Sequence, residues 1–192
     1  MKRNIVIMNG PKLSGKDYLS NYLVKNSKEN AINVCFKERL NSICRSIYGI
    51  SPASWFLYTR RSQKENPQDK LGGKSSRQVQ IEVSEKLIKP FYGDNFFGVA
   101  LKSSIEKNTS VKTFYVSDGG FERELEPLIS KDNNILIVKI EAEKCKFDST
   151  DSRDYLPDDF HPEINRIMFF NNKDEDSCIK LKRLIDSHLE KE

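Results

Sequence analysis

Within residues 4–23 an apolar run, a glycine-bounded loop and an amphipathic segment follow one another without a break. The run N-I-V-I-M-N is short and rich in β-branched residues, which predicts a buried strand. In Y-L-S-N-Y-L, Leu19, Tyr22 and Leu23 fall at helical spacing. Between them lies G-P-K-L-S-G-K-D, in which Gly10, Gly15 and Lys16 match the pattern glycine, four residues, glycine-lysine. A loop of this kind turns backbone N–H groups toward phosphate oxygens, and the helix behind it adds its positive end. Glycine is needed where the backbone takes positive φ or passes close to a phosphate. Gly10, Lys12, Ser14, Gly15, Lys16 and Asp17 are therefore the candidate phosphate-binding residues, with Lys16 reaching the β- and γ-phosphates of a nucleotide. The position after the lysine usually carries a magnesium-holding Ser or Thr; here it is Asp17. Its oxygens suit magnesium, directly or through water. The alternative is a first-turn acid that favours the helix N-terminus.

The 192 residues suffice for one domain with a full core. With 37% hydrophobic and 31% charged residues, the chain suits a protein with a large solvated surface. A net charge of +4, evenly spread, does not argue for nucleic acid as a partner. No apolar run is long enough to span a membrane, and the chain enters its first strand without a leader, so a cytoplasmic protein is expected. Cys35, Cys44, Cys145 and Cys178 are isolated and lack metal-ligand spacing. His161 and His188 form no triad or metal cluster, which argues against a histidine-based hydrolase.

Further strands are expected at residues 31–36, 111–117, 134–140 and 164–170. Helices are expected at 38–48, 52–58, 75–91, 94–105, 121–130 and 176–189. Gly49 suits a helix stop, Ser75 with Gln78 a capping box, and Asp94 a helix cap. Residues 59–74 are polar and basic and read as a long loop; residues 141–161 read as a second, lid-like loop. Alternating strands and helices predict an α/β three-layer sandwich, a single domain around a mostly parallel five-stranded sheet. Ligands of such sheets sit beyond the carboxyl ends of the strands. The glycine loop, the segment after Phe36 and Ser117–Asp118 all fall there.

Asp118 ends the third expected strand before two glycines, a place for an acid that supports magnesium or the attacking group; the alternative is an aspartate in a D-G-G turn. Arg77, near a helix start after G-G-K-S-S, is placed to grip a second phosphate, with Arg39, Arg60 and Arg61 as weaker candidates. Arg153, in D-S-R-D-Y, could close over a triphosphate, and Asn171, after the fifth strand, could contact a base or simply make a turn. Phe91, Tyr92, Phe96 and Phe97 suit core packing better than base stacking.

These residues carry a resemblance. S-G-K-D at 14–17, F-K-E-R-L at 36–40, Arg77 with Gln80, F-Y-G-D-N-F-F at 91–97, S-D-G-G-F-E-R-E at 117–124 and Asn171–Asn172 occur in the order seen in the phage-type deoxynucleoside monophosphate kinases, which are P-loop kinases. The resemblance implies a P-loop NTPase fold of the nucleoside monophosphate kinase kind. It also implies ATP with magnesium, and transfer of the γ-phosphoryl group to a (deoxy)nucleoside monophosphate. By it Lys16 holds the phosphates, Asp17 and Asp118 serve the metal, Arg153 acts from the lid, and Arg39, Arg77 and Gln80 hold the acceptor. The partner implied is a small nucleotide, with neither nucleic acid nor membrane; a homodimer is left open, and a phage-encoded chain would work in the host cytoplasm. One departure stands out: family members often show D-x-R-F where this chain has Asp118, Gly119, Gly120 and Phe121. The chain is similar also to animal phosphomevalonate kinases, which share S-G-K-D and an S-D pair at a strand end. A nucleotide-binding module without turnover is the alternative of another class.

Overall fold

The computed structural model describes residues 2–119, 121–147 and 154–190. In chain order, β1 (Arg3–Asn9) leads through α1 (Lys16–Lys25) to β2 (Ala31–Val34), α2 (Lys37–Tyr48) and α3 (Pro52–Thr59). A two-stranded hairpin, β3 (Pro67–Gln68) with β4 (Lys74–Ser75), precedes α4 (Ser76–Glu82). A π-helical stretch, Val83–Ile88, runs on into α5 (Lys89–Tyr92); α6 (Phe96–Lys107) and β5 (Thr113–Val116) come next. Then follow α7 (Glu122–Leu125), β6 (Asn133–Glu141), β7 (Asn165–Phe170) and α8 (Glu175–Leu189).

The central sheet has five strands in the order β2-β5-β1-β6-β7, and every pairing is parallel. β1 lies in the middle, and its side chains alternate between two cores. Ile5 and Ile7 join Phe114, Val116, Ile135 and Ile137 beneath Leu40 and Cys44 of α2, Val79 of α4 and Phe97, Leu101 and Ile105 of α6. Val6 and Met8 join Tyr115, Leu136 and Val138 beneath Leu19 and Leu23 of α1 and Leu181 and Ile185 of α8. A strand covered on both faces has no solvent side to be polar, which is why β1 reads as continuous I-V-I-M. Burying Leu19 or Leu23 contributes about 2 kcal/mol each. From β1 the chain crosses toward β2; from β5 it crosses the other way, toward β6. The carboxyl ends of β1 and β5 thus flank the switch point where such sheets take ligands.

The five expected strands form, and the sheet is wholly rather than mostly parallel. Ser75 and Gln78 make the expected capping box, and Gly49 closes α2 at φ 61°. Three expectations are corrected. Residues 59–74 hold a hairpin rather than an unstructured loop, because Gly72 and Gly73, both at positive φ, turn the chain back on itself. Asp94 does not cap α6: Asn95 holds the cap position, and the Phe96 N–H goes to the Gly93 carbonyl at 3.2 Å. The helix expected at 121–130 is only α7 and the short 3-10 turn Glu126–Leu128, since Pro127 has no N–H to continue it. Among the described residues no helix is long and apolar enough to cross a membrane.

Candidate functional site

The glycine loop leaves β1 and enters α1 at Gly15, which sits at φ 91°. A Cβ there would stand 2.4 Å from Asn171 Nδ2, so conformation and close approach both require glycine. Asn171 is buried and braces the loop: its Nδ2 donates to Ser14 O at 2.8 Å, and its Oδ1 accepts from Lys173 N at 2.9 Å. Gly10 packs against the Ile140 carbonyl, and the buried Ser14 hydroxyl donates to Pro11 O at 2.9 Å. Lys16 Nζ curls over the loop and donates to the Gly10 and Pro11 carbonyls, each at 2.6 Å. Lys12 and Asp17 are exposed beside it.

Across the switch point, Asp118 joins β5 to the start of α2. Its Oδ1 accepts from Phe36 N and its Oδ2 from Lys37 N, both at 3.0 Å. A carboxylate at a helix N-terminus satisfies orphan N–H groups and favours the positive end of the dipole. Burial nevertheless raises its pKa, while the Lys37 charge and the two N–H bonds oppose the rise. Gly119 lies against β1, where a Cβ would stand 2.5 Å from Met8 O, so glycine at 119 reflects the tight seam between the two strand ends. Glu124 is buried behind Asp118 and accepts from Phe121 N at 3.3 Å. Burial pushes its pKa up to about 7; Asp118 adds to the shift, and the Phe121 bond, Lys89 and Lys37 resist it.

Four cations share one neighbourhood beyond these strand ends. Burial first, then the charges of Lys12 and Arg77, hold the Lys64 ammonium below its ordinary pKa; Lys37 adds to the depression and Glu65 opposes it. Lys64 is tied to the start of α4, where its carbonyl accepts from Arg77 N at 3.1 Å and from Ser76 Oγ at 3.3 Å. Glu65 Oε1 stands 3.7 Å from Lys64 Nζ and 3.8 Å from Arg77 Nε. One carboxylate thus sits between two of the four cations, a place an incoming phosphate could take.

On the other side of the loop a cavity of about 550 Å³ is lined by Leu13, by residues 143–145 after β6 and by residues 170–173 at the end of β7 and just beyond it. Next to it, Asn9 Oδ1 accepts from Leu156 N at 2.8 Å, and Tyr155 Oη donates to Ile140 O at 2.9 Å. Lys139 Nζ donates to Asp158 Oδ1 at 2.5 Å. The described flank of the expected lid is therefore pinned to the ends of β1 and β6.

Of the residues singled out in the sequence, Gly10, Ser14, Gly15 and Lys16 build the loop, with Lys12 and Asp17 at its edge. Asp118 and Arg77 lie beyond the same strand ends. Gln80 lies one turn on from Arg77 and donates to Asn41 Oδ1 at 2.7 Å. Arg39 is exposed on α2 and makes no hydrogen bond or ion pair among the described residues. Arg153 and Gly120 lie outside the described residues. In the aromatic group Phe97 is buried, whereas Phe91 and Tyr92 are exposed. Lys37, Asn41, Lys64 and Glu124 escaped sequence reasoning. Lys37, inside F-K-E-R-L, and Glu124, inside S-D-G-G-F-E-R-E, carried a signal; Asn41 and Lys64 depend on which elements pack together. Among the described residues no group of three or more His, Cys, Asp or Glu could hold a metal. No protein-family model matches the chain, and no curated protein matches it.

Proposed function

We propose that this chain is a P-loop kinase that moves the γ-phosphoryl group of ATP onto the phosphate of a (deoxy)nucleoside monophosphate. An oxygen of the acceptor phosphate bonds to the γ-phosphorus, the bond to the β-phosphate oxygen breaks, and ADP and a nucleoside diphosphate leave. The observation that carries this reading is the cation set Lys12, Lys37, Lys64 and Arg77, gathered beyond the strand ends that bear the glycine loop. Phosphoryl transfer needs two anions held together and their charge neutralised more than it needs covalent chemistry. The loop with Lys16 suits the donor, and Lys64 with Arg77 suits the acceptor. The cavity bounded by Leu13 and residues 170–173 suits the donor's base and ribose. The resemblance to phage-type deoxynucleoside monophosphate kinases points the same way.

Magnesium would arrive with ATP, and the donor set fits it. Nucleotide-borne magnesium needs one or two carboxylates from the protein. Asp17 is exposed beside Lys16 with no hydrogen bond or ion pair among the described residues, while both oxygens of Asp118 already serve the start of α2. Asp17 is thus the better ligand, with Asp118 behind it. The ion would supply neutralisation of the phosphate charge.

The test is ADP release with ATP, magnesium and, in turn, each common nucleoside monophosphate, each deoxynucleoside monophosphate and phosphomevalonate. Turnover of at least one nucleotide is expected, with Lys16→Ala lowering kcat about a hundredfold or more. Turnover of phosphomevalonate alone would give the site to a non-nucleotide acceptor. ATP binding without any transfer would make the chain a nucleotide-binding module.

A further inference from the structure

Three side chains from three helices meet behind the cation set. Asn41 Oδ1, on α2, accepts from Trp55 Nε1 of α3 at 3.1 Å and from Gln80 Nε2 of α4 at 2.7 Å. Trp55 is buried, and its indole N–H can only donate. It therefore fixes the Asn41 amide with its oxygen inward and Nδ2 outward. Gln80, facing that same oxygen, must offer Nε2, which leaves its Oε1 outward. Among the described residues the buried polar atoms lacking a partner are Ser20 Oγ, Asn133 Oδ1 and Arg166 Nε. Asn41 Nδ2 and Gln80 Oε1 also make no bond, yet they are not buried, so both reach solvent. One indole thus sets an adjacent donor and acceptor on facing helices.

The placement relative to the cations is regular. Asn41 lies four residues after Lys37 on α2, and Gln80 three residues after Arg77 on α4, so each amide shares a helix face with a cation. α2 starts just beyond β2 of the central sheet, and α4 starts at the end of the hairpin, where its first turn binds the Lys64 carbonyl. Lys37 and Arg77 sit in the first turns of the two helices, and the amide pair lies one turn, roughly 5 Å, further along. A molecule with a phosphate at one end and a flat donor–acceptor edge at the other matches this order. A branched aliphatic phosphate has no such edge.

We infer that Asn41 and Gln80, held by Trp55, read the base of the acceptor nucleotide: Gln80 Oε1 takes a base N–H and Asn41 Nδ2 gives to the neighbouring base nitrogen or oxygen. Because the amides cannot flip, amino bases (adenine N6 and N1, cytosine N4 and N3) and keto bases (guanine O6 and N1, thymine O4 and N3) present the exocyclic group and the adjacent ring nitrogen of the Watson–Crick edge with donor and acceptor in opposite order, and one class is favoured. This inference rests on the kinase reading for the phosphate end alone.

Calorimetric binding without ATP tests it, using dAMP, dCMP, dGMP, dTMP and 2-deoxyribose 5-phosphate. One class of base should bind about tenfold tighter than the sugar phosphate and than the other class. Asn41→Asp keeps the acceptor that Trp55 and Gln80 need but removes the outward donor, so the preference over sugar phosphate should fall about tenfold. Trp55→Phe frees the amides to flip and should erode the choice between classes while the variant still binds the sugar phosphate. Equal binding of nucleotides and sugar phosphate by the wild type overturns the inference, as does an unchanged preference in both variants. The outcome is separable from turnover. Base preference without phosphoryl transfer leaves the amide pair standing and sinks the kinase; transfer with no base preference does the reverse.

Discussion

At Gly15 two constraints coincide: a left-handed backbone and the Asn171 amide where a Cβ would go. A left-handed conformation costs an ordinary residue about 1–2 kcal/mol. Displacing Asn171 would also strip Ser14 O of its partner. Gly15→Ala should therefore lower unfolding stability by about 2 kcal/mol and weaken ATP binding at least tenfold. A urea titration and an ATP titration check the two halves; a variant with wild-type ATP affinity would remove the loop from the donor site. The glycine pattern was readable in the sequence, but Asn171 as its brace was not. The two lie 156 positions apart, and Asn171 is an ordinary turn residue until β7 is placed beside β6 and β1.

Among the elements, α4 was the most legible, because a capping box is local chemistry: Ser75 Oγ accepts from Gln78 N at 3.2 Å, and Gln78 Oε1 accepts from Ser75 N at 2.9 Å. The hairpin before it and the π-helical stretch after it were not legible, since two-residue strands and a locally widened helix have no period to read. The cap has a consequence beyond stability. The first turn of α4 carries Arg77 and binds the Lys64 carbonyl, so loosening it loosens the cations of the proposed acceptor site. Ser75→Ala should cost about 1 kcal/mol of stability. It should also raise the acceptor KM severalfold and leave the KM for ATP alone. Steady-state kinetics varying each substrate in turn decide this; equal shifts in both KM values would mean a general loosening.

For the whole molecule, topology does what no segment can. Residues 12, 37, 64 and 77 belong to four different loops or helix starts, and only the order β2-β5-β1-β6-β7 brings the ends of β1, β2 and β5 side by side. The fold class was therefore legible from alternation and the glycine loop from its motif, whereas of the proposed acceptor side Arg39, Arg77 and Gln80 were named and Lys37 and Lys64 were not. Glu124 shows what such convergence costs. Its carboxyl is buried beside Asp118, with Lys89 of α5 and Lys37 of α2 as the charges that oppose its shift, and α6 packs so closely that a Cβ on Gly98 would stand 2.0 Å from its carbonyl. With a pKa of about 7 in the fold against an ordinary 4.5, the folded state binds the proton more tightly than the unfolded chain. Its stabilising effect is complete below pH 4.5 and is lost as pH rises through 7, a difference on the order of 3 kcal/mol at 1.36 kcal/mol per pH unit. Glu124→Gln keeps an acceptor for the Phe121 N–H and cannot ionise. The variant should match the wild type in urea stability at pH 4 and exceed it at pH 8 by up to about 3 kcal/mol. A difference that does not change between the two pH values would show that Glu124 is not protonated in the fold.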